Sequence, residues 1–295
     1  MDLDLFLQRL VDGISSGAIY ASLALAIVIV YRTTGVVNFA QGEMAMITSY
    51  VAFVLLTVQG TPFYLALPIT LIVAFAIGLM LEFLFIRRAK EPTDLSFIII
   101  TIGFQMLLFG LAGWKWGADQ RRLELPFSDS EAVIEAGGVV ITELNLATFT
   151  LALGMMLLVY LFLQYTRLGL AMKATQQNEM AAKINGIPTH SILAISFGIS
   201  SVVGAIAGLL VAPMITLDPT MMWDPLLKGF AAAVLGGMKS LGGVVIGGLL
   251  LGLVENLFGF YISLEFKSVV AFAIIVVVLF FKPEGLFGRP YTRKV

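Results

Sequence analysis

Apolar residues fall in long blocks along the chain, at 13–31, 36–58, 63–86, 95–114, 146–165 and 190–213, with polar residues gathered between them. A Gly-rich pair follows at 226–238 and 243–261, and a last block at 266–281. Apolar runs of about 17–25 residues have the length needed to cross a hydrocarbon core. Lipid offers an open backbone no hydrogen-bond partners, so such spans are expected to be helices. No ten-residue alternating pattern of the barrel kind marks the sequence. The pattern predicts an all-α, polytopic helical integral membrane protein, a single transmembrane domain over 1–295. It has about eight transmembrane helices plus a short or re-entrant Gly-rich helix. The arm at 226–238 is assigned that last role because as a helix it reaches only about 20 Å, against a core of about 30 Å.

Composition strengthens the membrane reading. The 295 residues are 59% hydrophobic and 13% charged, with mean hydropathy +0.97, whereas soluble domains are about 45–50% apolar and about 25% charged. The absence of cysteine excludes disulfides and thiolate metal sites. The N-terminus lacks a basic region followed by a short apolar run and a cleavage site, so no signal peptide is set aside. A net charge of −1 carries no nucleic-acid signal, but the placement of charge orients the chain. With Arg87/Arg88/Lys90, Arg167/Lys173/Lys183 and Lys282/Arg289/Arg293/Lys294 in the cytoplasm, alternation brings Arg32 and Lys239 to the same side. Arg9, Lys115, Arg121, Arg122, Lys228 and Lys267 remain outside. This excess of inner cations predicts the N-terminus outside and the C-terminus cytoplasmic. Trp114, Trp116 and Trp223 then fall at outer span ends, as interfacial anchors or as packing residues.

Two loops are long. The outer one, about 117–145, is acidic (Asp119, Glu124, Asp129, Glu131, Glu135, Glu143) and carries GGVVI, suited to a short hairpin. It reads either as a docking surface for an external partner or as a solvated loop. The inner one, TRLGLAMKATQQNEMAAKINGIPT at 166–189, is free of Gly and Pro from Ala171 to Ile184. It predicts a helix over 171–184 outside the membrane, stopped by Asn185-Gly186, with Pro188 shortly after. Met172, Gln176, Met180 and Ile184 share one face. The opposite face is mostly neutral, which suits a protein partner better than anionic lipid headgroups.

Polar residues inside the apolar blocks carry the candidate chemistry. The stretch TGVVNFAQGEMAMITSY at 34–50 holds Asn38, Gln41 and Glu43. Wound as a helix at about 100° per residue, Thr34, Gly35, Asn38, Gln41, Gly42, Ala45, Thr48, Ser49 and Ala52 form one polar-and-small stripe. The stripe is either a seam between helices or the wall of a hydrophilic route. Glu43 lies near the midplane by this winding, where a carboxylate costs about 2.5–3.5 kcal/mol, so it faces a partner or water or is protonated. It falls about 140° from Asn38 at that pitch, so either the helix deforms at Gly42 or Glu43 meets a different element. Glu255 and Asn256 form a second buried polar pair, and no Lys or Arg is expected near mid-span to neutralise either acid. Thr101 and Gln105, at i and i+4 of the fourth span, add donors to the same route. In the Gly-rich pair, Gly243, Gly247, Gly248 and Gly252 have the small-xxx-small spacing of closely packed helices. Gly236-Gly237 and Gly242-Gly243 mark the break between its arms, tolerated at membrane depth beside protein or a water-filled cavity.

No catalytic or metal-ligating residue is assigned. His190, the only histidine, sits at a membrane boundary, and no nucleophile–base pair lies at helix depth. GGMKS departs from a phosphate loop because Lys239 follows Met238 rather than Gly.

The segments GISSGAIYASLALAIVIVYRTTGVVNFAQGEMAMITSYVAF, KATQQNEMAAKINGI, KGFAAAVLGGMKSLGGVVIGGLLLGLVENL and FKPEGLFG cover nearly the whole chain. Together they resemble the membrane permeases of branched-chain amino-acid ABC transporters, of the LivH/LivM type and closer to LivH. The resemblance implies that 1–295 is one permease domain housing half of a translocation pathway in the cell inner (cytoplasmic) membrane. It implies a second homologous permease subunit (hetero- or homodimer), two cytoplasmic ATPases that bind ATP and Mg, and an external substrate-binding protein. No cofactor is expected in the chain itself. By the same resemblance, 171–186 is the coupling helix seated on the ATPase, with Lys173, Glu179, Ala181, Ala182, Lys183 and Gly186 at the contact. Glu179, Ala181, Ala182 and Gly186 look like a loose importer E-A-A-x-x-x-G signature. The residues expected along the pathway are Asn38, Gln41, Glu43, Thr48, Thr101, Gln105, Glu255 and Asn256. Two alternatives stand beside this reading: a self-sufficient carrier or channel using Glu43 and Glu255 as ion sites, and the same importer carrying urea or short amides.

Overall fold

The computed structural model describes residues 3–89, 93–127, 132–136 and 138–288. Lys90, Asp129, Glu131, Arg289, Arg293 and Lys294 lie outside the described residues. The helices are α1 (Leu3–Thr34), α2 (Gln41–Phe53), α3 (Phe63–Met80), α4 (Asp94–Trp116), α5 (Glu143–Tyr165), α6 (Arg167–Gln177), α7 (Glu179–Ile184), α8 (Thr189–Val211), α9 (Trp223–Gly236), α10 (Leu241–Tyr261) and α11 (Lys267–Phe281). Helix α2 continues as π-helix over Val54–Val58, and α3 over Leu81–Ile86. Among the described residues seven helices are long and apolar enough to cross a membrane: α1, α2, α3, α4, α5, α8 and α10. Helix α11 is apolar but only 15 residues long, and α9 has 14. The polytopic helical prediction holds. The GGVVI hairpin also forms, β1 (Ala132–Ala136) pairing antiparallel with β2 (Val139–Thr142).

Two predicted helices are broken, each by an Asn. The winding of residues 34–52 as one helix fails. Gly35 ends α1 with φ 77°, and its N–H donates to Tyr31 O at 2.8 Å. This is the left-handed stop that glycine adopts without penalty. Three residues on, Asn38 Oδ1 accepts from Ala40 N at 3.1 Å, an Asx turn that starts α2. Asn38 therefore lies ahead of α2 and Glu43 in its first turn, not at the middle of a longer span. The predicted helix 171–184 likewise divides into α6 and α7, because Asn178 is extended at φ −160° and ψ 104° and its side chain caps Ala181 N. A short polar side chain that hydrogen-bonds the local backbone competes with helix propagation. The shared face of Met172, Gln176, Met180 and Ile184 is lost with it: Met172 is buried, while Met180 and Ile184 are 68% and 79% exposed.

The chain folds as two compact units, one of Met1–Val28, Asp129–Met156 and Leu227–Val295, the other of Ile29–Ser128 and Leu157–Leu226. In the first, α10 lies directly on α1. A methyl group at Gly252 would strike the Gly17 backbone, and one at Gly248 the Ala21 backbone. Gly247 and Gly243 make the same close approach to Ala232 and Gly236 of α9. The predicted small-residue spacing is thus used on two faces of one helix. Helix α9 ends at Gly236, and Gly237 turns the chain at φ 93°. Ser240 then caps α10 by accepting from Gly243 N at 3.1 Å. The C-terminal segment closes over this turn, with Leu286 N–H donating to Leu235 O at 2.8 Å and Phe287 N–H to Gly236 O at 3.3 Å. These bonds satisfy carbonyls that a helix end leaves open.

In the second unit α2, α3, α4 and α8 pack around Val30, Ala40, Met44, Leu81, Phe104, Leu108 and Phe197. Gly78 of α3 abuts the Phe197 carbonyl, and Gly208 of α8 abuts Ala45 and Ser49 of α2. Helix α6 turns back on the end of α5, where Gly169 meets the Leu163 backbone. Schellman bonds from Gly186 N to Lys183 O (3.0 Å) and Ile187 N to Ala182 O (3.0 Å) end α7, the predicted stop.

Candidate functional site

The small-and-polar side of α2 faces α8. Gln41 bridges the two helices: its Nε2 donates to Ser200 O at 3.0 Å, and its Oε1 accepts from the Ser200 hydroxyl at 2.9 Å. Asn38 Nδ2 donates to the same Oε1 at 3.3 Å. Thr48 returns its hydroxyl to its own helix, at Ala45 O (2.8 Å). Asn38, Gln41, Thr48 and Ser49 are all buried, with Gln41 at the α2–α8 contact. Gly42 does not break α2, which runs through it unbroken; a methyl there would press on Leu226.

Glu43 points the other way and meets α4, the second of its two predicted alternatives. Gln105 Nε2 donates to Glu43 Oε1 at 3.0 Å. Glu43 is 2% exposed, yet its Oε2 has no hydrogen-bond partner among the described residues. The described partner is thus a neutral donor to a buried carboxyl. Thr101, one turn from Gln105, is buried and bonded to Ile98 O at 3.0 Å, so it adds no donor to Glu43. Aromatic rings frame this region. Tyr50 stacks on Trp116 at 4.5 Å, and Trp223 lies 5.7 Å from Phe109. Trp116 packs on Tyr50, Trp223 is half-exposed beside Phe109, and Trp114 is 85% exposed.

The expectation that Glu255 lacks a cation is overturned. Lys228 Nζ lies 2.6 Å from Glu255 Oε1, and both residues are buried. Lys228 was counted among the outer-side cations, as a residue at the outer end of the 226–238 block. Helix α9 starts earlier, at Trp223, and carries Lys228 inside. Its ammonium also sits 5.6 Å from the Tyr20 ring. Lys267 Nζ is 3.9 Å from the same Glu255 oxygen and donates to Asn256 Oδ1 at 3.3 Å. Asn256 Nδ2 in turn donates to Ser16 at 3.2 Å. Four helices of the first unit therefore meet in one polar network.

A family model described as branched-chain amino acid transport system / permease component matches residues 9–279. The chain belongs to that family. The high-affinity branched-chain amino acid transport system permease protein LivH of Salmonella typhimurium is 33% identical over 301 residues, covering 98% of both chains. The corresponding BraD protein of Pseudomonas aeruginosa is 31% identical, again over 98% of both. Among solved structures, PsaBC from Streptococcus pneumoniae in complex with Fab superposes with a TM-score of 0.51 over 94% of this chain and 92% of that one. At 15% identity that likeness speaks for the fold alone.

In this permease the residues expected at the ATPase contact lie on or beside α6 and α7. Glu179 and Lys183 form an exposed pair at 2.7 Å, Ala182 is buried, and Lys173 donates to Gln164 at 2.6 Å. Gly186 has φ 79°. Reading the permease from sequence missed Lys228 and Ser200. Lys228 was legible from its distance to the Gly236-Gly237 stop: counted back along a helix, it lies more than two turns inside.

Proposed function

We propose that this permease forms half of the translocation pathway of an ATP-binding-cassette importer for branched-chain or other apolar amino acids. It sits in the inner (cytoplasmic) membrane as one permease domain, N-terminus outside and C-terminus cytoplasmic. A second homologous permease, identical or not, supplies the other half. Two ATPases hold ATP and Mg, and an external binding protein delivers the cargo. The likeness along 98% of the chain to permeases named for branched-chain amino acid transport carries this reading. Glu43 and Gln105 line the passage in the second unit, Glu255 and Asn256 in the first. Asn38, Gln41 and Thr48 serve it by holding α2 on α8.

The test is leucine uptake into vesicles holding the permeases with their ATPases. Uptake is expected to require both ATP inside and binding protein outside. A permease that accumulates leucine alone, driven by a proton or sodium gradient, is a secondary carrier and overturns the proposal. Uptake of urea or acetamide in place of leucine overturns the cargo.

For the coupling segment, Glu179→Arg is expected to leave the permease folded, since an exposed i,i+4 pair contributes only about 0.3–0.5 kcal/mol. The same change is expected to cut co-purification of the ATPases about tenfold, a loss of about 1.4 kcal/mol at the contact. Undiminished co-purification removes Glu179 from that contact.

A further inference from the structure

The Lys228–Glu255 pair is expensive for what it does structurally. Each buried ion carries an effective desolvation penalty of several kcal/mol, and hydrophobic replacements of such pairs are often neutral or stabilising. The backbone approaches of Gly248, Gly252 and Gly247 already hold α1, α9 and α10 together, so packing alone gives no reason to keep two charges there. Two details point to a ligand instead. Glu255 is 0% exposed and accepts Lys228 on Oε1, while its Oε2 has no hydrogen-bond partner among the described residues. A second ammonium, Lys267, stands 3.9 Å from Oε1, so one carboxylate faces two cations.

We propose that this pair is a subsite for the charged end of a zwitterionic α-amino acid. The closed pair is the empty state. When cargo arrives the pair opens, the α-carboxylate bonds Lys228 Nζ, and the α-ammonium bonds Glu255 Oε2. Lys267, tethered through Asn256 to Ser16, keeps Glu255 compensated while Lys228 turns to the cargo. One ion pair becomes two, so no charge is left buried and unmatched at any stage. That condition governs the energetics, because stripping one partner from a buried pair costs about 3–5 kcal/mol. An uncharged molecule offers each ion a hydrogen bond but no opposite charge, so it cannot replace the partner that opening the pair removes. The site therefore selects zwitterions over amides and sugars. This inference rests on the amino-acid importer reading above and assigns a part of its selectivity to the membrane subunit.

The test compares wild type with Lys228→Met/Glu255→Met and with Lys228→Gln/Glu255→Gln, each in the complete reconstituted transporter. The first double variant replaces the ions with apolar chains of similar length. The second keeps a hydrogen bond without charge. Thermal stability and ATPase co-purification are expected to match wild type in at least one of them, with leucine uptake down at least about tenfold, or about 1.4 kcal/mol in effective barrier. A folded, assembled variant of either kind with wild-type uptake overturns the proposal, as does loss of assembly in both, which marks the pair as structural. Failure of the wild type to take up any amino acid overturns the importer reading itself and is told apart by that control.

Discussion

Replacing Glu43 with methionine is expected to leave the permease as stable as before, or more so, and to abolish its transport. A buried carboxylate carries an effective penalty of several kcal/mol. Its described partner returns little: a hydrogen bond from Gln105 at 3.0 Å, worth about 0.6 kcal/mol on average between membrane helices. Oε2 recovers nothing from the described residues. Methionine fills a similar volume without the penalty, so the balance favours the variant. A residue kept at such a cost within a membrane protein is read as functional. Melting temperature in detergent and ATP-driven leucine uptake measure the two halves. If stability falls as for any core residue and uptake falls only in proportion to folded protein, Glu43 is structural.

Gly252→Val is expected to leave no folded permease in the membrane. A Cβ at this position overlaps the backbone N and Cα of Gly17, and the Gly13 carbonyl lies as near. Small-to-large changes in a packed core cost about 1–3 kcal/mol when side chains can shift. Here the obstacle is main chain, so α1 itself must move. The neighbouring contact of Gly248 with Ala21 would be lost with it. Total stabilities are about 5–15 kcal/mol, and losing the whole α1–α10 seam takes a large share of that. Gly242→Val is the control, since nothing lies within 4 Å of a Cβ there; it is expected to give wild-type yield in detergent extraction. Equal yields of both variants contradict the close backbone packing of α1 and α10.

Gln41→Leu should cost less. It removes the bridge to Ser200 and leaves Asn38 Nδ2 without its Gln41 acceptor. Burying a polar group without its partner costs about 1–3 kcal/mol, read as a lower melting temperature with ATPase contacts intact.

Most span boundaries were legible to within a few residues, because length and hydrophobicity are local properties and the solvent for a span is lipid. The two misread helices show where local reading stops. The second span was wound from residue 34, through the Gly35 stop and the Asn38 turn that precede α2. Asn178 sits among helix formers, and only its bond to Ala181 N reveals that it caps a new helix rather than continuing the old one. The stripe on α2 was recognised, but a stripe of small polar residues suits a seam and a channel equally well.

What the order of residues determined by itself was the class of protein: apolar blocks of membrane length, a glycine turn between two arms, the left-handed stop at Gly186, and glycine spacing that demands a close neighbour. What only the tertiary structure decided was which neighbour. Gln41 meets Ser200 across 159 positions, and Lys228 meets Glu255 across 27. Hydropathy and period describe one helix at a time. The match of a buried charge to its partner is decided by where two helices cross, and no single helix carries that information.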